Sequence, residues 1–249
     1  MNLVKEIFAR IWALWALLFF ISTMFIAYLF YIPCHFLKEP GRAKWHRNVS
    51  RVWMFIYLHA IGCPLKIKGA KNFKNVSNCI IVCNHNSLMD VPVTTPFMPR
   101  ANKTIAKKSF SYFPVFGWIY SFGSVLVDRK SEASRRESFN SMKSVLAMGM
   151  HMCIYPEGTR NRTNDPLKSF HDGAFRLALA TGKPLMPALI FNSRKVMPEK
   201  PAFSLFPHRM KMHFLPPVHV SSTDTVDGLK QKLFAMMSEY YERTERGFS

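Results

Sequence analysis

Acidic residues are scarce in this sequence. Its 249 residues hold 15 Asp and Glu against 34 Lys and Arg, a formal net charge of +19 with a pI of about 10. Such a surface attracts polyanions: nucleic acid, anionic lipid headgroups, or an acidic carrier and its phosphates. Cysteine is also sparse. Cys34, Cys63, Cys79, Cys83 and Cys153 are odd in number and show no paired spacing. They read as small apolar core residues in a reducing compartment, and a lone C-x-x-x-C pair is a poor zinc site. No zinc-finger spacing and no RNP-like aromatic motif is present, which argues against nucleic acid as the polyanion. Internal repeats and low-complexity linkers are missing. From Ile11 to Pro33 charge itself is absent.

As a helix, that uncharged run would reach roughly 34 Å, enough to cross a hydrocarbon core of about 30 Å. No small-x-small cleavage site follows it, so a signal peptide is disfavoured. A second segment, Trp45 to Cys63, mixes Arg47, Arg51 and His59 with Trp53, Met54, Phe55, Ile56, Tyr57 and Leu58. It reads as a helix at a membrane interface. Lys38, Arg42, Lys44, Arg47 and Arg51 follow the first segment, whereas Lys5 and Arg10 precede it. The excess after the segment puts the body on the cytoplasmic face, as at a bacterial inner membrane, with anionic lipids as partners. A full span and a re-entrant pair both fit. The expected organisation is a membrane-associated helix pair over residues 1–63 and a catalytic unit over 64–249.

The body alternates short apolar runs with helical spacing. Strands are expected at Pro64 to Lys68, Cys79 to Cys83, Lys103 to Ala106, Ser124 to Val127, His151 to Tyr155, Leu185 to Phe191 and Met210 to Leu215. Helices are expected at Val91 to Phe97, Ser134 to Gly149, Phe170 to Thr181 and Thr225 to Arg243. Arg135 and Arg136 would then fall in a first turn, where they oppose the helix dipole. The alternation predicts an α/β fold with a largely parallel or mixed sheet flanked by helices.

Two strand ends release polar clusters. Asn84-His85-Asn86-Ser87-Leu88-Met89-Asp90 follows the run Cys79 to Cys83. A histidine and a carboxylate five positions apart meet only if the chain turns between them, and Asn86, Ser87 and Pro92 suit a strand–loop–helix corner. There His85 would be a general base oriented by Asp90. Asp90 as a simple helix cap remains an alternative, and Ser87 is a candidate cap. Tyr155-Pro156-Glu157-Gly158-Thr159-Arg160 follows the strand ending at Tyr155. Arg160 offers a rigid fork of donors suited to phosphate. Ligands of α/β folds gather at the carboxyl ends of strands, so two such clusters point to one site. Between them, Lys108 and Arg129 also sit at element ends, in a stretch dense in aromatics.

Taken in order, these motifs resemble the glycerolipid acyltransferase family, which includes the 1-acyl-sn-glycerol-3-phosphate acyltransferases. Asn84, His85, Ser87 and Asp90 match NHxSxxD; Lys108, Pro114, Gly117 and Arg129 match the second motif; Tyr155 to Arg160 matches [FY]PEGTR. Pro184 to Ala188 matches the proline-centred fourth motif loosely, and His171 stands where lysine is common. The resemblance implies acyl transfer to the sn-2 hydroxyl of lysophosphatidic acid, giving phosphatidic acid. Acyl-CoA or acyl carrier protein would be the donor, with no further cofactor and no metal. It implies His85 and Asp90 as a catalytic dyad without an acyl-enzyme. Arg160 would be the first phosphate contact and Lys108 and Arg129 second-rank ones. Gly158 and Thr159 would donate amides, and Glu157 would orient neighbouring groups. Asn84 and Ser87 would support the corner. A different lysolipid acceptor, or a non-catalytic lipid binder on the same scaffold, are the competing expectations.

Overall fold

The computed structural model describes residues 3–163 and 165–246. Seven strands form one sheet in the order β1-β7-β6-β2-β5-β3-β4. They are β1 (Leu65–Lys68), β2 (Ile80–Cys83), β3 (Asn102–Lys107), β4 (Ser124–Val127), β5 (His151–Ile154), β6 (Leu185–Phe191) and β7 (Met210–Phe214). Five run parallel from β6 to β4; β7 is antiparallel to β6, and β1 is parallel to β7. The sheet is therefore mixed, as expected. Every residue of β2, β5 and β6 is buried, because helices cover both faces. That is why these strands read as unbroken apolar runs rather than alternating ones.

Side-chain alternation sorts the core into two layers. Ile81 and Cys83 of β2 face one cluster, with α1 (Leu3–Tyr31) and α2 (Gly41–Ala60) packed over it. Ile80 and Val82 face the other, with α5 (Glu132–Ala147), α6 (Gly173–Thr181) and α8 (Val226–Arg246). Short helices α3 (Asp90–Thr94), α4 (Phe116–Phe122) and α7 (Ser193–Val196) complete the chain. All five cysteines are buried and unpaired.

The helix pair inverts the usual pattern of a core helix. The buried positions of α1 include Ala9, Ala13, Ala16 and Ala27, while Leu14, Leu18, Phe25, Leu29 and Phe30 are exposed. Small residues let α2 approach closely. Trp53 Nε1 then reaches Thr23 Oγ1 at 2.9 Å, Trp12 Nε1 reaches the Ile61 carbonyl at 3.0 Å, and the Tyr31 and Ser50 hydroxyls meet at 2.6 Å. Lys103 of β3 pairs with Glu39, in the turn between the helices, at 2.7 Å and fixes the pair to the sheet. Among the described residues one helical stretch, Leu3–His35, is long and apolar enough to cross a membrane.

The boundaries of α5 differ from the sequence expectation. The helix begins at Glu132, and Ser131 caps it by accepting from Ser134 N at 3.2 Å. Glu132 thus occupies the first turn, and Arg135 and Arg136 lie beyond it. Arg136 pairs with Glu132 at 3.4 Å, and Arg135 donates to the Arg129 carbonyl at 2.8 Å. The dipole conflict disappears because the capping serine lies three residues upstream of the expected start.

Candidate active site

The site begins where β2 leaves the core. Asn84 is fully buried, and its side-chain amide closes a reciprocal pair with Ile190 of the adjacent β6. Nδ2 donates to the carbonyl at 3.0 Å, and Oδ1 accepts from the backbone N–H at 2.7 Å. The exit direction of the chain is thereby fixed before His85.

The corner then folds back on itself. One carboxylate oxygen of Asp90, Oδ2, lies 2.8 Å from His85 Nδ1, 2.6 Å from Asn86 N and 2.7 Å from Ser87 N. A carboxylate offers only lone pairs, so Nδ1 carries the proton and Nε2 is left with a lone pair. The helix-cap alternative fails, because Met89 occupies the cap position and Asp90 bonds to residues before it. Ser87 does not cap α3 either. Its hydroxyl donates to the Met197 carbonyl at 3.0 Å and accepts from Met89 N at 3.3 Å, tying the corner to the segment after α7. The His85 ring stacks on Tyr155 with centroids 4.4 Å apart. Tyr155 is held in turn by a 2.8 Å hydroxyl contact with Thr94.

The loop after β5 grips the same histidine through its backbone. Glu157 is fully buried; Oε1 accepts from His85 N at 2.8 Å and Oε2 from Lys168 N at 3.1 Å. Asn161 N donates to the His85 carbonyl at 2.6 Å. Both sides of the His85 backbone are therefore clamped by one loop. Burial raises the Glu157 carboxyl to about 7, partly offset by the N–H donors of His85 and Lys168 and by the His85 side chain.

Glu157 holds backbone amides with both oxygens inside the protein and does not face a ligand phosphate. These contacts correct one expectation. Gly158 cannot offer its amide, which bonds to the Tyr155 carbonyl at 3.1 Å. Its carbonyl accepts from Arg129 Nη1 instead. Gly158 has φ +72°, and a Cβ there would lie 2.7 Å from the His171 ring, so the turn requires glycine. His171 occupies the space beside this turn. Gly117 is constrained similarly: a Cβ there would strike the Ser111 carbonyl.

The remaining basic residues share one edge of the sheet. β2, β5, β3 and β4 are parallel neighbours, so His85, Arg160, Lys108 and Arg129 all follow their carboxyl ends in sequence. Arg160 is half-buried and makes no hydrogen bond or ion pair among the described residues. Lys108 is exposed. Thr159 is exposed, and its hydroxyl accepts from Lys168 Nζ at 2.9 Å. Arg129 is partly committed, through its bond to Gly158.

Arg194 is a residue the sequence reading missed. It follows β6 at the same edge and bridges three loop positions. Nη1 reaches the Thr163 carbonyl at 2.8 Å; Nη2 reaches the Asn161 carbonyl at 2.7 Å and Asn86 Oδ1 at 3.3 Å. It joins the His85 corner to the loop after β5. The available signal was the polar Asn192-Ser193-Arg194 cluster at the end of an apolar strand, the same pattern that singled out the other two. Among the described residues no group of three His, Cys, Asp or Glu side chains has the geometry to hold a metal ion.

Comparison with known proteins fits this geometry. The Acyltransferase family model matches residues 64–191. The chloroplastic 1-acyl-sn-glycerol-3-phosphate acyltransferase of Arabidopsis thaliana is 28% identical over 210 residues, covering 83% of this chain and 58% of the relative. The 1-acyl-sn-glycerol-3-phosphate acyltransferase of Salmonella typhimurium is 29% identical over 203 residues, covering 78% and 81%. The chain spans about half the length of the plant relatives it matches, 58%, 48% and 42% of three of them. The crystal structure of the 1-acyl-sn-glycerophosphate (LPA) acyltransferase of Thermotoga maritima superposes with a TM-score of 0.74 at 20% identity, covering 98% of each chain. At that identity the likeness is one of fold.

Proposed function

Because this chain belongs to the Acyltransferase family, we propose that it moves a fatty acyl group from a thioester to the free 2-hydroxyl of 1-acyl-glycerol-3-phosphate, giving phosphatidic acid. The observation that carries the reading is the His85–Asp90 hydrogen bond of 2.8 Å, which leaves His85 Nε2 as a base, while Arg160, without a hydrogen bond or ion pair among the described residues, follows the neighbouring strand β5. Nε2 takes the proton of the acceptor hydroxyl as its oxygen attacks the thioester carbonyl. Asp90 stabilises the imidazolium that forms. The tetrahedral intermediate collapses, the C–S bond breaks, and the proton passes from Nε2 to the departing thiolate. No acyl-enzyme is required, since a thiolate is a good leaving group. A positioned base contributes about 10²–10⁴-fold, so acceptor positioning must add to it.

Arg160 is the proposed phosphate contact, supported by Lys108 and the Thr159 amide. Among the described residues Arg160 has no hydrogen-bond or ion-pair partner to give up, and a guanidinium binds a phosphate through two parallel hydrogen bonds. Leu88 and Val91, at the corner itself, are exposed apolar residues, as are Phe110, Phe113 and Trp118 near α4. With the outer face of α1 they form the surface proposed to dock on the membrane that delivers the lipid.

The test uses purified protein in detergent with lysophosphatidic acid, a phosphate-free lysolipid, and both acyl-CoA and acyl carrier protein donors. Phosphatidic acid should form from the first acceptor, and folded His85→Ala should lose about 10²–10⁴-fold. A folded His85→Ala keeping a tenth of the rate removes the base, and equal use of both acceptors removes the phosphate reading.

A further inference from the structure

A second basic cluster lies outside the proposed catalytic set. The sheet register places Lys66 of β1 directly beside Lys211 of β7. Like charges directly opposite on paired strands are destabilising. Lys195 of α7, His208 and Arg209 join them, and all but Lys211 are exposed. The crowding registers in the titration of its members. Burial and then the charges of Lys195 and Lys211 lower His208. Lys211 is lowered by burial and by Lys66, Lys195 and Arg209, and Glu245 of α8 opposes that shift.

Three of them, His208, Arg209 and Lys211, line an open cleft of about 580 Å³ together with Gly62, Pro64, Asn192 and Pro207. Asn192 Nδ2 donates to the Arg209 carbonyl at 3.0 Å and closes one wall. The cleft lies at the same end of the sheet as the His85 corner. β7 is antiparallel to β6, so Lys211 pairs with Phe191, the last residue of β6. Lys195 is next in sequence to Arg194, which touches Asn86 beside His85.

We propose that this cleft takes the phosphorylated nucleotide head of a coenzyme A thioester, an assignment that rests on the acyl-transfer reading above. Three observations select this ligand. The titratable residues of the lining, His208, Arg209 and Lys211, are basic, with Glu245 of α8 near Lys211, and a basic surface suits the 3′-phosphate and 5′-diphosphate of the nucleotide. The recess is shallow, open to solvent and small, whereas a carrier protein covers about 800 Å² on each partner. The lining carries no large exposed apolar side chain of the kind that would enter a bilayer, so a lipid headgroup fits less well. The nucleotide bound there leaves its pantetheine arm free to run along the sheet edge past Arg194 to His85.

The experiment measures coenzyme A binding by calorimetry and KM for three donors: palmitoyl-CoA, S-palmitoyl-pantetheine and palmitoyl acyl carrier protein. Lys195→Glu/Arg209→Glu is compared with wild type, and Lys195→Gln/Arg209→Gln serves as the milder pair. Both positions are exposed, so folding should be unaffected. Coenzyme A affinity should weaken and the palmitoyl-CoA KM should rise by roughly tenfold or more. The pantetheine and lysophosphatidic acid KM values should stay within about twofold. The proposal is overturned if coenzyme A affinity is unmoved, if all donors suffer alike, or if only the carrier-protein donor or only sedimentation with anionic vesicles is affected. The binding arm needs no acceptor. Charge-sensitive coenzyme A binding without lysophosphatidic acid turnover would sink the acceptor reading and keep the cleft. Full turnover with charge-insensitive binding would do the reverse.

Discussion

At the scale of single residues, Asp90 concentrates three donors on one oxygen. Oδ2 meets His85 Nδ1, Asn86 N and Ser87 N, while Oδ1 is buried without a hydrogen-bond partner among the described residues. The two backbone donors define the carboxylate's orientation, and the third sets the histidine tautomer. An amide in its place is neutral, and whichever way it turns it meets a mismatch. With the oxygen toward the three donors, the NH2 lies buried where Oδ1 found nothing to bond; reversed, the NH2 faces two N–H groups. Asp90→Asn should therefore lower turnover by about 10²–10⁴-fold and destabilise the fold by about 1–3 kcal/mol. Single-turnover kinetics with a urea melt on the same sample separates the two effects. Retention of the wild-type rate would remove Asp90 from the orienting role. Glu157 works one step further back. It touches the backbone of His85 rather than the ring, so its influence on chemistry is through position.

At the scale of elements, α1 carries its own test. Leu14, Leu18 and Phe25 are exposed, and each would gain about 1.5–3 kcal/mol on entering an apolar phase. Replacing Leu14 and Leu18 by lysine should weaken sedimentation with phospholipid vesicles by at least tenfold while the melting temperature holds. Unchanged vesicle binding would show that this face does not meet lipid. The sequence revealed α1 by its uncharged length, but not which side faces inward, because apolar residues surround the helix. Alanine against α2 and leucine outward is a packing result. The strands were legible for a related reason: β2, β5 and β6 are buried on both faces and leave no polar gaps. By contrast, α4 was hidden in a run so rich in aromatics that no period stands out. The His85 corner was readable from turn chemistry, and its partner loop from Pro156 and Gly158. Arg194 escaped because its three acceptors, on the loops after β2 and β5, come together only in the folded sheet. The Gly158 amide was assigned to the phosphate because its bond to the Tyr155 carbonyl, within the same turn, shows only once the turn is formed.

At the scale of the whole molecule, buried titratable groups set how stability follows pH, and they pull in opposite directions. His151 and His213 are held neutral: burial, then the charges of Arg100 for the first and of Lys68, Lys211 and Lys66 for the second, lower each from 6.5 to about 4. Cys79 N also donates to His151 Nδ1 at 3.1 Å, which leaves no room for a proton there. The unfolded chain binds these protons first, so both histidines contribute stability above pH 6.5 that is lost as pH falls toward 4. Glu157 is the reverse case. Its carboxyl is raised from 4.5 to about 7, so the native state binds the proton first, and stability falls as pH rises through that window. At about 1.36 kcal/mol per unit each group is worth at most about 3 kcal/mol, and two histidines outweigh one glutamate. The protein should lose a few kcal/mol between pH 7 and 4.5, with the Glu157 contribution cushioning the fall. Glu157→Gln removes the cushion. Whatever constant offset follows from its altered hydrogen bonds, its loss on acidification should be steeper than wild type by about 2–3 kcal/mol. Urea midpoints for both proteins at the two pH values give that double difference, in which every other titrating group cancels. Parallel pH dependences would mean that Glu157 is already ionised at acid pH, and that the clamp on His85 carries a full charge throughout.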